Sequence, residues 1–342
     1  MTQYKIIRHE LTKNPKKWLV TGVAGFIGSN LLEALLRLNQ SVIGLDNLST
    51  GNQTNLNDVR GRVTEDQWSG FTFLEGDIRD LQTCSRACEN TDYILHHAAL
   101  CSVEQSIHDP VLTSGNNING FLNILVSARG AGVKRIVFAS SSAIYGNCEK
   151  LPLIEDIKGD LLSPYAADKR INELHAELFS RIHQIDIIGL RYFNIFGPRQ
   201  NIDTTYGSVI PRWFHGLIRN EEVFINGDGK TSRDFCYIEN CVQANILAAG
   251  TQDPEAVNKI YNIGFGKSID LNNLYEMIRK RLSLTMEGNW DIEPTYQDFR
   301  LGDVRHSMAD ISKAHEILKY EPEYSIQKGL EKTAKWYLEK LR

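Results

Sequence analysis

Long apolar runs are missing from this 342-residue chain. A membrane-spanning helix needs about 20 consecutive apolar residues, so nothing here is expected to cross a bilayer. A basic excess is missing too. Lys and Arg number 38 against 42 Asp and Glu, a net charge of −4, which leaves no electrostatic footprint for nucleic acid or anionic membrane. The six cysteines (84, 88, 101, 148, 236 and 241) form no paired CxxC set. Cys84 and Cys88 could share a helix face as half of a metal site, but no second half follows at zinc spacing. No metal is expected, and reduced thiols are the plainer reading. Met1 to Lys17 is polar and basic and lacks the apolar stretch of a signal peptide, which makes the cytoplasm the default location. There is no internal repeat, low-complexity tract or flexible linker.

What is present is an ordinary globular composition, with 42% hydrophobic and 23% charged residues. The length suits one large domain or two interleaved ones. Short apolar runs alternate with helical patterns. Strands are expected at Lys17–Thr21, Ser41–Leu45, Phe71–Leu74, Tyr93–His96, Arg135–Ala139 and Asp186–Leu190. Helices are expected at Phe26–Leu38, Gly120–Ala131 and Ala166–Arg181. This alternation predicts an α/β fold, a doubly wound parallel sheet of the Rossmann kind. Beyond about Arg191, Gly and Pro punctuation is denser, with helices expected at Leu271–Leu284 and Ile326–Glu339. The chain therefore divides into an extension (1–16), a dinucleotide-binding domain (17–195) and a smaller C-terminal substrate domain (196–342). That last boundary is soft, and the second half can return strands to the first.

The first strand runs into Thr21-Gly22-Val23-Ala24-Gly25-Phe26-Ile27-Gly28 and then directly into a helix. Gly22 permits a tight turn, Gly25 lets the backbone approach a pyrophosphate, and Gly28 lets helix and strand pack closely. Phe26, Ile27 and Gly28 open the helix, whose N-terminus attracts phosphate. Asp46 stands 18 residues beyond Gly28, at the end of the second strand. Its carboxylate suits the adenosine ribose hydroxyls and repels a 2′-phosphate, which favours NAD over NADP. After the third strand Asp77 suits the adenine amino group or a helix N-cap, with Ile78 beside it. After the fourth, Ala98 and Ala99 allow close backbone approach, and His96 and His97 read as packing residues.

Tyr165 and Lys169 form Tyr-x-x-x-Lys, which puts both side chains on one helix face. A nearby ammonium and a nicotinamide cation would lower the phenol pKa and make Tyr165 a general base. The fifth strand ends in Ser140-Ser141-Ser142, where a hydroxyl can steer a sugar proton to Tyr165.

With Asp46-Asn47-Leu48-Ser49-Thr50-Gly51, Ser141 with Tyr145-Gly146, and Arg191-Tyr192-Phe193-Asn194, the chain resembles extended short-chain dehydrogenases. More narrowly it resembles UDP-sugar 4-epimerases, in particular the bacterial UDP-N-acetylglucosamine 4-epimerases of surface polysaccharide synthesis. The resemblance covers nearly everything after residue 16. It implies transient oxidation at the sugar C4 with tightly held NAD, and a homodimer through the helices at Gly120–Ala131 and Ala166–Arg181. It implies that Ser141, Tyr165 and Lys169 are catalytic, with Lys169 on the nicotinamide ribose. Asn47, Ser49, Gly51 and Tyr192 join the cofactor site. Ser102, Ser142, Asn194, Ser208, Val209, Ile225 and Asn226 face the nucleotide sugar.

Arg233, Arg300 and Asp303 would pass as surface ion-pair residues by composition. By the resemblance they match the positions that grip UDP, guanidinium forks on the diphosphate and a carboxylate on the ribose. Ser307 reads as a loop residue or, by the resemblance, as the gate of the sugar pocket. A small side chain there leaves room for a 2-acetamido group. Two departures stand out. Cys101-Ser102-Val103-Glu104-Gln105-Ser106 replaces the relatives' Gly-Ser-Val-Pro-Arg-Ser, losing a cation that would suit a sugar carboxylate. Ala143 replaces a third serine. Related dehydratases carry Thr-Asp-Glu at Ser141-Ser142-Ala143, so elimination lacks its acid and base here. A UDP-uronic acid 4-epimerase and, from another class, a non-catalytic NAD-binding scaffold are the rival readings.

Overall fold

The computed structural model describes residues 1–157, 159–201, 208–287, 290, 292–299 and 304–341. The strands of the first half are β1 (Lys17–Thr21), β2 (Ser41–Asp46), β3 (Phe71–Glu75), β4 (Tyr93–His96), β5 (Arg135–Ser141) and β6 (Asp186–Tyr192). They are followed by β7 (Asn194–Phe196), β8 (Phe224–Asn226), β9 (Ser232–Tyr237), β10 (Ile260–Ile263), β11 (Ser268–Asp270) and β12 (Thr295–Gln297). The central sheet has seven strands in the order β10-β6-β5-β4-β1-β2-β3, and every pairing in it is parallel. This is the doubly wound α/β sheet that the alternation predicts. The chain reverses direction on either side of β1, so ligands are expected at the carboxyl ends of β1 and β4.

The seventh strand, β10, comes from the second half of the chain and lies beside β6. The helix Ile238–Gly250 packs on β5 and β6 as well. Small separate sheets, β11-β9-β7 and β12-β8, stand beyond the main one.

One face of the sheet buries Leu31, Leu35, Ile246 and Ala249, and the other buries Phe121, Ile124, Phe138 and Ala176. Cys84 and Cys88 lie in this second layer, where burial pushes both thiols up to about 12. Residues 1–16, which the sequence leaves without a structural role, contain a helix, Gln3–Lys13. Its buried Ile7 and Leu11 dock on the Ile238–Gly250 helix, where Gly250 permits contact. Tyr4, Ile7 and Leu11 stand at helical spacing in this otherwise polar segment, which is the signal that marks it.

The helix expected from Ala166 begins two residues earlier and spans Pro164–His183. Ser163 Oγ accepts the Ala166 N–H at 3.2 Å, and Pro164 occupies the first turn, where its missing N–H costs nothing. Tyr165 is therefore fixed inside the helix. Strands β5 and β6 each run two residues longer than expected, which brings Ser141 level with Tyr192.

Candidate active site

Gly22 and Gly28 build the turn after β1. Gly22 has φ +69°, and a Cβ there would lie 2.7 Å from Ala98 N. A Cβ on Gly28 would overlap the Gly22 carbonyl. Gly25 is the N-cap of the helix Phe26–Arg37 and contributes no side-chain cap. The first N–H groups of that helix, from Phe26, Ile27 and Gly28, have no intrahelical acceptor and suit a phosphate.

Asp46 closes the next turn. Its carboxylate accepts Ala24 N at 2.9 Å and Leu48 N at 2.8 Å, and burial holds its pKa above the usual value. Gly51 leaves no room for a side chain against it, since a Cβ would stand 3.0 Å from both carboxylate oxygens. Asn47 Nδ2 donates to Asp77 at 2.9 Å and Asn47 Oδ1 accepts Ser49 N at 3.1 Å. Arg79 grips Asp77 at 2.7 and 3.0 Å and draws it down to about 2. Asp77 is not the helix N-cap that the sequence allowed. Asp80 is, with Gln82 N and Thr83 N on its carboxylate. Ile78 is buried against Gly120. Thr21 Oγ1 accepts both His97 N and Ala98 N at 3.1 Å, which carries the backbone of Ala98 and Ala99 over the turn. This cradle of backbone N–H groups, with a carboxylate at the end of β2, fits NAD.

At the end of β5 the Ser141 side chain stands by the Tyr165 hydroxyl and favours its ionised form, and Ser141 Oγ accepts Ala143 N at 3.1 Å. Lys169 Nζ lies 5.8 Å from the Tyr165 ring centre and donates to Ala139 O at 2.8 Å. Burial lowers the Lys169 pKa to about 8. In the protein by itself, burial raises the Tyr165 hydroxyl above the ordinary phenol value, and the neighbouring Ser141 side chain only partly opposes this. Lys169 donates to the Ala139 carbonyl and makes no hydrogen bond to the phenol among those described. The cationic nicotinamide ring is the remaining source of stabilisation for a phenolate.

Tyr192, expected near the nicotinamide, has its hydroxyl between His97 Nε2 (2.9 Å) and Asn245 Nδ2 (2.8 Å). His97 stacks on it, and burial drives the His97 pKa to about 3. His96 is buried on Thr21 at 2.8 Å. Both histidines are packing residues.

The nucleotide-sugar candidates are more scattered. Ser102 Oγ caps the helix Val103–His108 by accepting Gln105 N at 3.0 Å. Ser142 opens a short 3-10 turn, Ser142–Tyr145. Asn194 begins β7, and Ser208 and Val209 open the helix Val209–Arg219. Ile225, buried, and Asn226 lie on β8. Arg233 on β9 donates to Ser232 O at 3.0 Å and Arg305 O at 3.3 Å. Ser307 is buried and its N–H donates to Ser232 O at 3.0 Å. Arg300 and Asp303 lie outside the described residues.

Sequence reasoning missed the supports. Glu173 stands one turn beyond Lys169, on the same face as Tyr165. It accepts Arg191 through two 2.8 Å bonds and Ser140 Oγ at 2.7 Å. A carboxylate continuing the buried Tyr165–Lys169 face was the available signal. Asn117 exchanges two bonds with Leu100 and reaches Asp168 at 3.2 Å. Nothing in its local sequence marks it.

The fold and this site define an NAD-binding enzyme of the extended short-chain dehydrogenase class. The chain belongs to the NAD dependent epimerase/dehydratase family, whose pattern matches residues 18–264. It is 34% identical over 329 residues to the UDP-glucuronate 4-epimerase of Thermodesulfobacterium geofontis, covering 95% of this chain and 97% of the relative. Among solved structures, the UDP-N-acetylglucosamine 4-epimerase of Methanobrevibacter ruminantium, in complex with UDP-N-acetylmuramic acid, superposes with a TM-score of 0.86 at 35% identity. That match covers 95% of this chain and 99% of the other. The UDP-glucose 4-epimerase of Thermotoga maritima, with UDP-glucose, gives a TM-score of 0.86 at 34% identity, covering 95% and 100%.

Proposed function

We propose that this family member is a UDP-sugar 4-epimerase whose preferred pair is UDP-N-acetylglucosamine and UDP-N-acetylgalactosamine. The observation that carries the reaction is the placement of Tyr165 and Lys169 one helical turn apart on one buried helix face, with Ser141 beside the phenol at the end of β5. NAD, when bound, supplies a reversible acceptor for the C4 hydrogen.

The protein's own part is proton handling and grip. Ser141 orients the sugar 4-hydroxyl, and Tyr165 takes its proton. Lys169, with a pKa near 8, keeps positive charge beside the phenol at neutral pH. Arg233, with Arg300 and Asp303, holds the UDP while the 4-keto sugar presents its other face. Ser142, Asn194, Ser208, Val209, Ile225 and Asn226 complete the nucleotide-sugar pocket.

Two features support the N-acetylated sugar over its rivals. Ser307 is small where a bulky aromatic would fill the volume beside C2. Glu104 and Gln105 stand where a cation would suit a uronate carboxylate, so the second reading, a UDP-uronic acid epimerase, loses its counter-ion. A homodimer is supported by Leu174, Leu178 and Ile182, spaced four residues apart and exposed along the Pro164–His183 helix, with exposed Val126 on Gly120–Ala131. Division into an NAD-binding part (17–195) and a sugar-binding part (196–342) belongs to the same proposal.

The test is a proton NMR assay of the purified protein with UDP-N-acetylglucosamine and no added NAD. Appearance of UDP-N-acetylgalactosamine is the expected result and also reports a retained cofactor. Conversion of UDP-glucose or UDP-uronic acids alone overturns the role of Ser307. No conversion of any of them, with NAD supplied, overturns the epimerase reading.

A further inference from the structure

We propose that Asn262 is a specificity-determining positioning residue: its side-chain amide ties the catalytic-serine turn to the segment bearing Ser307 and so fixes the width of the sugar pocket between them. This rests on the reading of Ser307 as a pocket wall.

Asn262 lies on β10 and is fully buried. Its Oδ1 accepts the Tyr145 hydroxyl at 2.6 Å. Its Nδ2 donates to Leu153 O at 2.8 Å and to Asp310 O at 3.1 Å. Its backbone N–H donates to Glu155 Oε1 at 2.8 Å. One amide thus joins three segments remote in sequence. Tyr145 ends the 3-10 turn that follows Ser141, four residues away. Leu153 pairs with Ala309 as an isolated bridge, with Leu153 N on Met308 O at 2.8 Å and Asp310 N on Leu153 O at 2.9 Å. Ser307 is two residues from that bridge.

Packing repeats the connection. Tyr145, Leu153, Phe193 and Ala309 form a small apolar cluster separate from both main cores. The Ser307 segment has no long strand to hold it. Two isolated bridges flank Ser307, Ser232 with His306 on its N-terminal side and Leu153 with Ala309 on its C-terminal side, helped by this cluster and by single bonds such as Ala309 N to Asp234 at 3.2 Å. With the Ser232 side anchored on β9, a shift of Leu153 or Asp310 relative to Tyr145 pulls on Ser307 from its C-terminal side.

The chemistry demands an amide. The position needs one acceptor toward a phenol and two donors toward two carbonyls, which Asn supplies and Asp does not. In Asn262→Asp an oxygen faces the Leu153 and Asp310 carbonyls and pushes the 308–310 segment outward. In Tyr145→Phe a single hydroxyl is lost and the ring stays over Phe193.

The experiment measures kcat/KM for UDP-N-acetylglucosamine and for UDP-glucose with wild type, Asn262→Asp, Tyr145→Phe and Ser307→Tyr. The readout is the ratio of the two values. A merely structural defect lowers the active fraction and scales both alike, whereas a changed pocket moves the ratio. Pocket changes of about a methylene are worth roughly 10- to 200-fold in discrimination. On that scale the expected fall in the N-acetylated preference is about tenfold or more for Ser307→Tyr, about tenfold for Asn262→Asp and about threefold for Tyr145→Phe. If Ser307→Tyr moves the ratio while the other two hold it within about twofold, the role of Asn262 is overturned and Ser307 stands. If Ser307→Tyr leaves the ratio unchanged, both fall. Should Asn262→Asp fail to fold, Tyr145→Phe decides alone.

Discussion

The residues proposed to handle the proton and those proposed to face the sugar hang on two differently built supports. Ser141 ends a seven-residue strand and Tyr165 and Lys169 sit in a 20-residue helix. Glu173 locks the helix to both neighbouring strands, through Ser140 on β5 and through the buried pair with Arg191 on β6. Their backbone hydrogen bonds are made within regular ladders and turns, so side-chain positions follow from secondary structure. The residues proposed to face the sugar lie on three-residue strands (β7, β8), on helix starts and on a segment held by two isolated bridges. Lone polar side chains such as Asn262 and Asp234 do the work that a ladder does elsewhere. Chemistry common to a family can rest on the first kind of support. In the proposed site, substrate choice rests on the second, where one residue can move a wall.

The contrast can be broken from either side. On the proposed proton-handling side, Tyr165→Phe removes the phenol hydroxyl beside Ser141. The expected loss in kcat is about 10²–10⁴-fold, the usual range for a general acid–base group, with NAD still retained on purification. Near wild-type turnover in the NMR assay would overturn the assignment. Next in size is the support itself. Glu173→Gln leaves the Arg191 guanidinium buried without its carboxylate, and removing one partner of a buried pair costs about 3–5 kcal/mol. Urea unfolding measures it. A loss below about 1 kcal/mol would mean that the strand and helix hold their register without the pair.

The same contrast explains what the sequence disclosed. Tyr93–His96 and Gly120–Ala131 match their expected bounds, because periodicity and flanking polar residues report long-range burial directly. The glycine turn, Asp46, and the Tyr165–Lys169 spacing were legible because each obeys a local steric or helical rule. The pairing of β10 with β6 was only an allowed possibility, since four residues carry no signal of their destination. The roles of Asn117 and Asn262 were invisible. An amide in a loop or short strand looks like any other until the chain brings its three partners to it. The direction of the Lys169 ammonium was hidden for a related reason. Helical spacing fixes which face Lys169 shares, but not that its ammonium turns to the Ala139 carbonyl.

The smallest expected effect lies on the sugar side and is read through pH. Asp234 is fully buried, and its carboxylate accepts Phe265 N at 2.8 Å, Gly266 N at 2.9 Å and Ala309 N at 3.2 Å. Burial nevertheless pushes its pKa from 3.8 up to about 6. The folded state therefore binds this proton more tightly than the unfolded chain does. The resulting stabilisation is complete below the unfolded value of 3.8 and is lost as pH rises through about 6. Asp234→Asn cannot titrate, and its single oxygen cannot serve both Phe265 on one side and Gly266 and Ala309 on the other. At pH 7 the lost acceptor and the relieved charge burial oppose each other, leaving a deficit of about 1 kcal/mol. As pH falls to 5, wild type gains a proton that the variant cannot, and the deficit grows by roughly another 1 kcal/mol. Urea unfolding at the two pH values checks this. A gap that stays constant or narrows on acidification would show that Asp234 titrates below this window. The backbone donors would then hold the carboxylate more firmly than burial penalises it, and the sugar-side segment would be as securely fixed as the catalytic helix.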